Sequence, residues 1–276
     1  METNSTIIFF DTETTGILND DKWNTISNWD LIQLAYRKIE NWKKTDENLF
    51  FNTDTEIEIW AIAVHNIYKE LLVKKTNGEY LNDEDRSKLS TVFNEWISVA
   101  HNLDFDLDVL DNSNISYWER LIDTLKVAKV LWSEWVLINS NWKAPEYVNL
   151  QYLRFFFELY KIIDSDGNEE KTTAHDAFWD VVVLENVFYK LFEIIKNKLN
   201  ISDDEVLEKM QAMTAKEFIL IKTMRIWKYR GKTFEEVAKI DRGYLEWIVW
   251  ADFTPDIKYT CQVWLGEIED EKFFED

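Results

Sequence analysis

Two carboxylates, Asp11 and Glu13, follow directly on the apolar run Ile7–Phe10 in "IIFFDTETTG", residues 7–16. A charge at the end of a buried strand is costly unless something pairs with it. Positions i and i+2 of a strand share a face, so the two acids can converge on one cation, or else reach solvent harmlessly. By itself the pair says little: with 52 acids in 276 residues, chance gives about ten acid-x-acid pairs. Its context is more telling, with an apolar strand before it and "TTG" after it, where the chain can turn away.

A second group lies in "VAHNLDFDLDVL", residues 99–110, where an apolar segment runs into His101, Asn102, Asp104, Asp106 and Asp108. If a helix starts near Asn102, Leu103, Leu107 and Leu110 form its buried stripe. The three aspartates then point in different directions, so one or two at most face the first pair. An acidic first turn that favours the helix dipole explains them equally well. A third group is "AHDAFWD", residues 174–180, with His175 in a first helical turn and Asp180 five residues later.

The elements that must position these groups follow from periodicity. Residues 6–11 read as a buried strand, 30–39 as a second, and 48–51 as a third. Residues 84–97 read as a helix, followed by a short strand at 97–102. Helices are expected at 119–132 and 148–160. The clearest helix is 174–198, where Ala177, Val181, Leu184, Phe188 and Leu191 make one stripe. Thr173 and Asp176 offer it a capping box. Strands first, then helices interleaved with a strand, indicate an α/β or mixed fold. Residues 200–214 read as a boundary, and 267–276 as a mobile acidic tail.

Composition sets the outer bounds. The chain is 46% hydrophobic and 15% aromatic, enough for a sizeable core. No apolar run approaches the roughly 18 residues of a membrane helix, and the N-terminus lacks a signal-peptide pattern. The single cysteine, Cys261, excludes an intrachain disulfide or a thiolate zinc site. A soluble cytoplasmic protein is the default expectation. The net charge of −21 argues against a strongly basic nucleic-acid binder, but not against an enzyme that draws cations into an acidic pocket.

Taken together and in order, "FDTETTG", "AHNLDFD" and "HDAFWD" resemble the three motifs of the DEDDh (DnaQ-like) 3'-5' exonuclease family. The segments "LIQLAYRKI", "EIEIWAIAVHNIY", "LIDTLKVAKVL" and "NLQYLRFFFELYKI" sit where family members carry similar ones, so the likeness spans residues 5–198. The resemblance implies an RNase H-like fold: a mixed, twisted sheet flanked by helices, in a domain covering residues 1–200. It implies Asp11, Glu13, Asp106 and Asp180 as metal-binding carboxylates for two divalent ions, Mg2+ or Mn2+, and His175 as general base. Hard cations suit such oxygen ligands, and an imidazole with pKa near 6.5 can take a proton around neutral pH. Thr14 and Asn102 are candidate substrate contacts, Asn102 equally a helix cap. His65 lies in "AVHNIY", where family members often read HGIT. With Asn66 in place of the glycine and Tyr68 in place of the threonine, a substrate role for His65 loses support.

"KYRGKTFEEVAKIDRGYLEWI", residues 228–248, resembles the exodeoxyribonuclease X-like C-terminal domain, which implies a small α-rich or α+β unit over residues 215–266. From Lys222 to Lys232 there are five basic residues and no acid. Basic residues interleaved with aromatics suit a single strand, making Lys228 and Arg230 candidate substrate contacts. Alternatively Trp227, Phe234, Tyr244, Leu245 and Trp247 are the core of the unit. Trp132, Trp135 and Trp142 line a groove or pack an extra loop. The expected activity is 3'-5' hydrolysis of DNA, single-stranded first, releasing nucleoside 5'-monophosphates. An exoribonuclease or a nuclease of short or cyclic oligonucleotides is the alternative, and a non-catalytic nucleic-acid-binding module the alternative of another class. No membrane is implied, and protein partners are not legible.

Overall fold

The computed structural model describes residues 6–16, 29–41, 43–138, 141–159, 177–225 and 227–274. The chain divides into two compact units, residues 1–125 with 149–190 and residues 126–148 with 191–276. The first is built on a five-stranded sheet of order β3-β2-β1-β4-β5. The strands are β1 (Ile7–Thr14), β2 (Leu31–Glu40), β3 (Lys43–Phe50), β4 (Ile97–Ala100) and β5 (Leu121–Asp123). β1 pairs antiparallel with β2 and parallel with β4, so the sheet is mixed, as the resemblance implies.

β1 is central, and Ile7–Phe10 are at most 1% exposed. A strand covered on both faces reads as a continuous apolar run. Ile8 and Phe10 join a cluster with Phe93, Leu103, Val109 and Leu110, supplied by α3 (Asp83–Glu95) and α4 (Leu103–Asn112). The Phe10 and Phe93 rings meet edge-on at 4.9 Å. Phe9 points the other way and meets Phe188 edge-on at 5.1 Å, on α7 (Ala177–Leu199). The expected α7 stripe of Ala177, Val181, Leu184, Phe188 and Leu191 is fully buried. Its expected cap, Thr173 with Asp176, lies outside the described residues. Short helices α1 (Ile59–His65) and α2 (Lys69–Thr76) cover Ile32 of β2, and α6 (Leu150–Phe156) completes the unit.

Two expectations need correction. The third strand begins at Lys43 rather than residue 48, pairing with β2 along its length. It is an edge strand of charged, exposed residues, so no apolar period marked it. The expected helix at 119–132 is a three-residue strand, Leu121–Asp123, before α5 (Thr124–Ser133). Its parallel pairing with β4 is a long-range contact that a three-residue pattern cannot announce.

In the second unit, the segment read as a boundary carries a helix: α8 (Asp203–Thr214) starts with a Ser202–Glu205 capping box. α9 (Phe234–Ile240), α10 (Arg242–Trp250) and α11 (Pro255–Leu265) surround Met224, Phe234, Val237, Leu245, Ile248, Cys261 and Leu265. Of the expected aromatic core, Phe234 is buried and Tyr244 partly so, but Trp247 is half exposed. The tail expected to be mobile is bonded down from residue 270. Asp270 takes Lys216 Nζ and Tyr259 OH, each at 2.7 Å, and the Phe273 and Phe274 amides donate to Glu134 at 3.0 Å. No described helix is long and apolar enough to cross a membrane.

A buried ion pair fastens α7 to the sheet. Arg37 of β2 reaches Glu185 at 2.8 Å and Asp46 of β3 at 2.6 Å, and Lys44 reaches Glu185 at 2.6 Å. The Glu185 side chain is 4% exposed, Arg37 12% and Lys44 52%. Removing a buried partner strands a desolvated charge, whereas an exposed one contributes little. Arg37→Leu is expected to cost about 3 kcal/mol of stability, and Lys44→Ala less than about 1 kcal/mol. The shift of the urea midpoint measures both.

Candidate active site

The pleat of β1 changes character at its end. Thr12 and Thr14 stay buried while Asp11 and Glu13 become partly exposed. The odd-numbered face is the one on which Phe9 meets α7, and α7 carries Asp180 in its first turn. One ligand oxygen from each of Asp11, Glu13 and Asp180 lies within 4.8 Å of the others. At that spacing two like charges repel by roughly 3.5 kcal/mol in a medium of effective dielectric 20. An all-oxygen, all-anionic donor set suits a hard divalent cation.

Two residues not singled out from the sequence hold Asp180 and Asp106. Gln151, in the first turn of α6, donates from Nε2 to Asp180 Oδ1 at 2.5 Å. That turn is set by Asn149, whose side chain accepts from the Tyr152 amide. Thr12, on the opposite face of β1, donates to Asp106 Oδ1 from both its amide (3.0 Å) and its hydroxyl (2.7 Å). Thr12 was legible only as the residue between the two acids, and nothing local marked Gln151.

Asp106 therefore stands on the other side of the strand, outside the three-carboxylate group. It is buried, while Asp104 and Asp108 are exposed. Burial raises its pKa, the Thr12 bonds oppose the rise, and the charge of Asp123 adds to it. Asn102 precedes α4 in the left-handed region, φ 74°, with an exposed side chain that makes no cap bond. Its amide is held by Asp123 Oδ1 at 3.1 Å.

After Glu13 the register against β2 slips, as in a bulge, a device that re-aims a strand end. The turn beyond closes on itself. Thr14 donates its hydroxyl to the Gly16 carbonyl, and the Glu58 amide donates to the Thr15 carbonyl at 2.8 Å. A Cβ on Gly16 would come within 2.8 Å of Glu58 Oε1, so a larger residue there would displace the Glu58 carboxylate. Here an open pocket of about 680 Å³ is walled by Gly16, Trp29, Glu58, Ile59 and Trp60.

His65 braces the same turn. Its Nδ1 accepts from the Ile67 amide at 3.0 Å, so Nε2 carries the proton and donates to the Thr14 carbonyl at 3.2 Å. Asn66 follows with φ 60°, a left-handed position that asparagine tolerates in place of glycine. His175, the expected base, lies outside the described residues. Lys228 and Arg230 belong to the second unit. Lys228 pairs with Asp241 at 2.8 Å, and Arg230 is exposed.

Comparison with known proteins repeats the resemblance. Residues 228–250 match the family described as Exodeoxyribonuclease X-like C-terminal, covering the segment 228–248 whose pattern pointed there. The chain is 25% identical over 274 residues to a DNA polymerase III PolC-type of Mycoplasmopsis pulmonis (strain UAB CTIP). The match covers 94% of this chain but 17% of that relative. Among solved structures, Exonuclease X in complex with 5' overhanging duplex DNA aligns at a TM-score of 0.47 and 16% identity, over 76% of this chain and 99% of that one. The nuclease domain of 3'hExo, a DEDDh family member, bound to rAMP, aligns at 0.44 and 11%, over 70% and 94%.

Two outcomes are expected. Gln151→Leu should weaken Mn2+ binding about ten- to hundredfold, because an oriented carboxylate loses its brace; titration followed by electron paramagnetic resonance reads this. Burial holds His65 below its usual pKa of 6.5. The neutral ring is therefore favoured by the fold, and the unfolded chain takes up the proton first. Stability present above pH 6.5 is lost as pH falls below it, by at most about 1.4 kcal/mol per unit. His65→Gln should flatten the urea midpoint between pH 7.5 and 5.5.

Proposed function

We propose that this chain is a 3'-5' exonuclease that hydrolyses phosphodiester bonds of DNA with the help of two divalent ions, Mg2+ or Mn2+, and releases nucleoside 5'-monophosphates. The observation that carries this reading is the convergence of Asp11, Glu13 and Asp180 at the end of the central strand. Bound divalent cations supply the positive charge that stabilises the attacking and leaving oxygens of an in-line displacement. Asp11, Glu13 and Asp180 would hold them, and Asp106 would assist from the far face of β1 with one oxygen fixed by Thr12. His175 takes the proton of the attacking water. The match of residues 228–250 to an exodeoxyribonuclease-type segment, and the likeness to a DNA polymerase, support DNA as the polymer.

The test is digestion of 5'-labelled single-stranded DNA and RNA of the same sequence, with Mg2+, Mn2+ or chelator. A metal-dependent ladder shortening from the 3' end, stronger on DNA, is expected. Asp11→Ala should abolish it and His175→Ala should slow it at least about a hundredfold, with circular dichroism unchanged in both. A faster ladder on RNA replaces the DNA assignment. Hydrolysis confined to dinucleotides moves the substrate to short oligonucleotides. No metal-dependent cleavage by the folded protein overturns the enzyme.

A further inference from the structure

Within the second unit, an open pocket of about 400 Å³ brings together two stretches far apart in sequence, 132–147 and 222–231. Trp132, Trp135 and Tyr147 come from the first, and Lys222, Arg225 and Arg230 from the second. Lys222 Nζ lies over the Trp135 ring, 3.4 Å from the Trp132 carbonyl. Arg225 lies over the Tyr147 ring at 4.6 Å and donates to the Glu146 carbonyl at 2.7 Å.

Two features of this pocket run against local preference. The first is charge. In a chain of net charge −21, other cations of this unit take carboxylate partners: Lys196 with Asp203, Lys216 with Asp270, Lys228 with Asp241 and Lys239 with Glu235. Among the described residues no carboxylate pairs with Lys222, Arg225 or Arg230. Lys222 meets the Trp135 ring and the Trp132 carbonyl, and burial lowers its pKa to about 8.

The second is Trp135. It follows α5 at φ 62°, and the Val136 amide bonds back to the Leu131 carbonyl at 2.8 Å. This is the helix-ending turn whose left-handed position glycine or asparagine fills best. A bulky side chain there is unfavourable, and burial does not compensate, because Trp135 is 66% exposed. The ring is thus held out to solvent beside cations without acid partners. An aromatic face next to such cations fits a nucleotide, whose base stacks and whose phosphate takes charge-assisted bonds from arginine.

We propose that this pocket binds one nucleotide unit of single-stranded nucleic acid, its base against Trp135 and Tyr147 and its phosphate on Arg225 and Arg230. The proposal rests on the nuclease reading for the choice of a polynucleotide, and its test reads binding rather than cleavage.

The experiment is fluorescence anisotropy of a 5'-labelled twelve-residue oligothymidylate with the full chain, in chelator so that nothing is cut. Trp135→Asn should weaken binding at least about fivefold while leaving the melting temperature unchanged or higher, since asparagine suits the left-handed backbone. Trp135→Phe should retain binding, and Arg225→Gln should lower the salt slope by about 0.7. Competition by thymidine 5'-monophosphate would assign the pocket to a single nucleotide. No competition, with the Trp135→Asn loss intact, would assign it to the connected strand. The proposal is overturned if Trp135→Asn binds like the unaltered chain, or if an abasic oligomer or an acidic peptide of equal charge binds as tightly. A chain that cleaves nothing yet loses binding in Trp135→Asn would remove the nuclease reading alone. Asp11-dependent cleavage with binding unaffected by Trp135→Asn would remove this proposal alone.

Discussion

Three carboxylates whose oxygens lie within 4.8 Å of one another repel, and the rest of the first unit has to hold them there. Two of them ride on a strand that cannot retreat, because Ile7–Phe10 are buried on both faces. The third is brought by α7, which is fixed to the same strand by Phe9 against Phe188 and to the neighbouring strand by Arg37 and Glu185. These contacts lie away from the acids, so apolar packing and a buried ion pair sustain the crowding. A cation that bound the folded state and not the unfolded one would offset this repulsion.

The period of two along β1 explains why the four acids do not act alike. Asp11 and Glu13 leave the face that meets α7, whereas Thr12 leaves the face that meets α4. Asp106 is on α4, so its nearest strand contact is Thr12 rather than either acid. Two donors to one oxygen make burial of that carboxylate tolerable, and they couple its position to the backbone between Asp11 and Glu13. The slip in register after Glu13 then turns the chain aside, and His65 and the Gly16–Glu58 approach close the turn behind it.

Much of this was legible in the sequence because it depends on short-range periodicity. The strand Ile7–Phe10 and the α7 stripe follow from which residues share a face, whereas periodicity left Asp104, Asp106 and Asp108 open and only the family resemblance singled out Asp106, the one that is buried. β5 and the start of β3 were not legible, since a three-residue strand and a charged edge strand carry no apolar period. Thr12, Gln151 and the Arg37–Glu185 pair were missed for a different reason. Their roles depend on partners 94, 29 and 148 residues away, and a polar side chain in isolation does not announce its partner. The capping box of α8 was written plainly in Ser202 and Glu205, although the segment was read only as a boundary.

A sequence that specifies its fold agrees with local preference nearly everywhere, and the exceptions mark places where something else was selected. The first unit breaks the rule at its acids. The second breaks it at Trp135, where a tryptophan occupies a left-handed helix end with its ring in solvent, and at Lys222, Arg225 and Arg230, for which no carboxylate partner is found among the described residues. Packing does not require either feature, because Met224, Phe234, Leu245 and Ile248 already give that unit a buried core. An exposed ring beside cations without carboxylate partners is costly as architecture and useful as a surface for stacking and phosphate. The overall charge of −21 sets this local group of cations within a chain that as a whole repels polyanions.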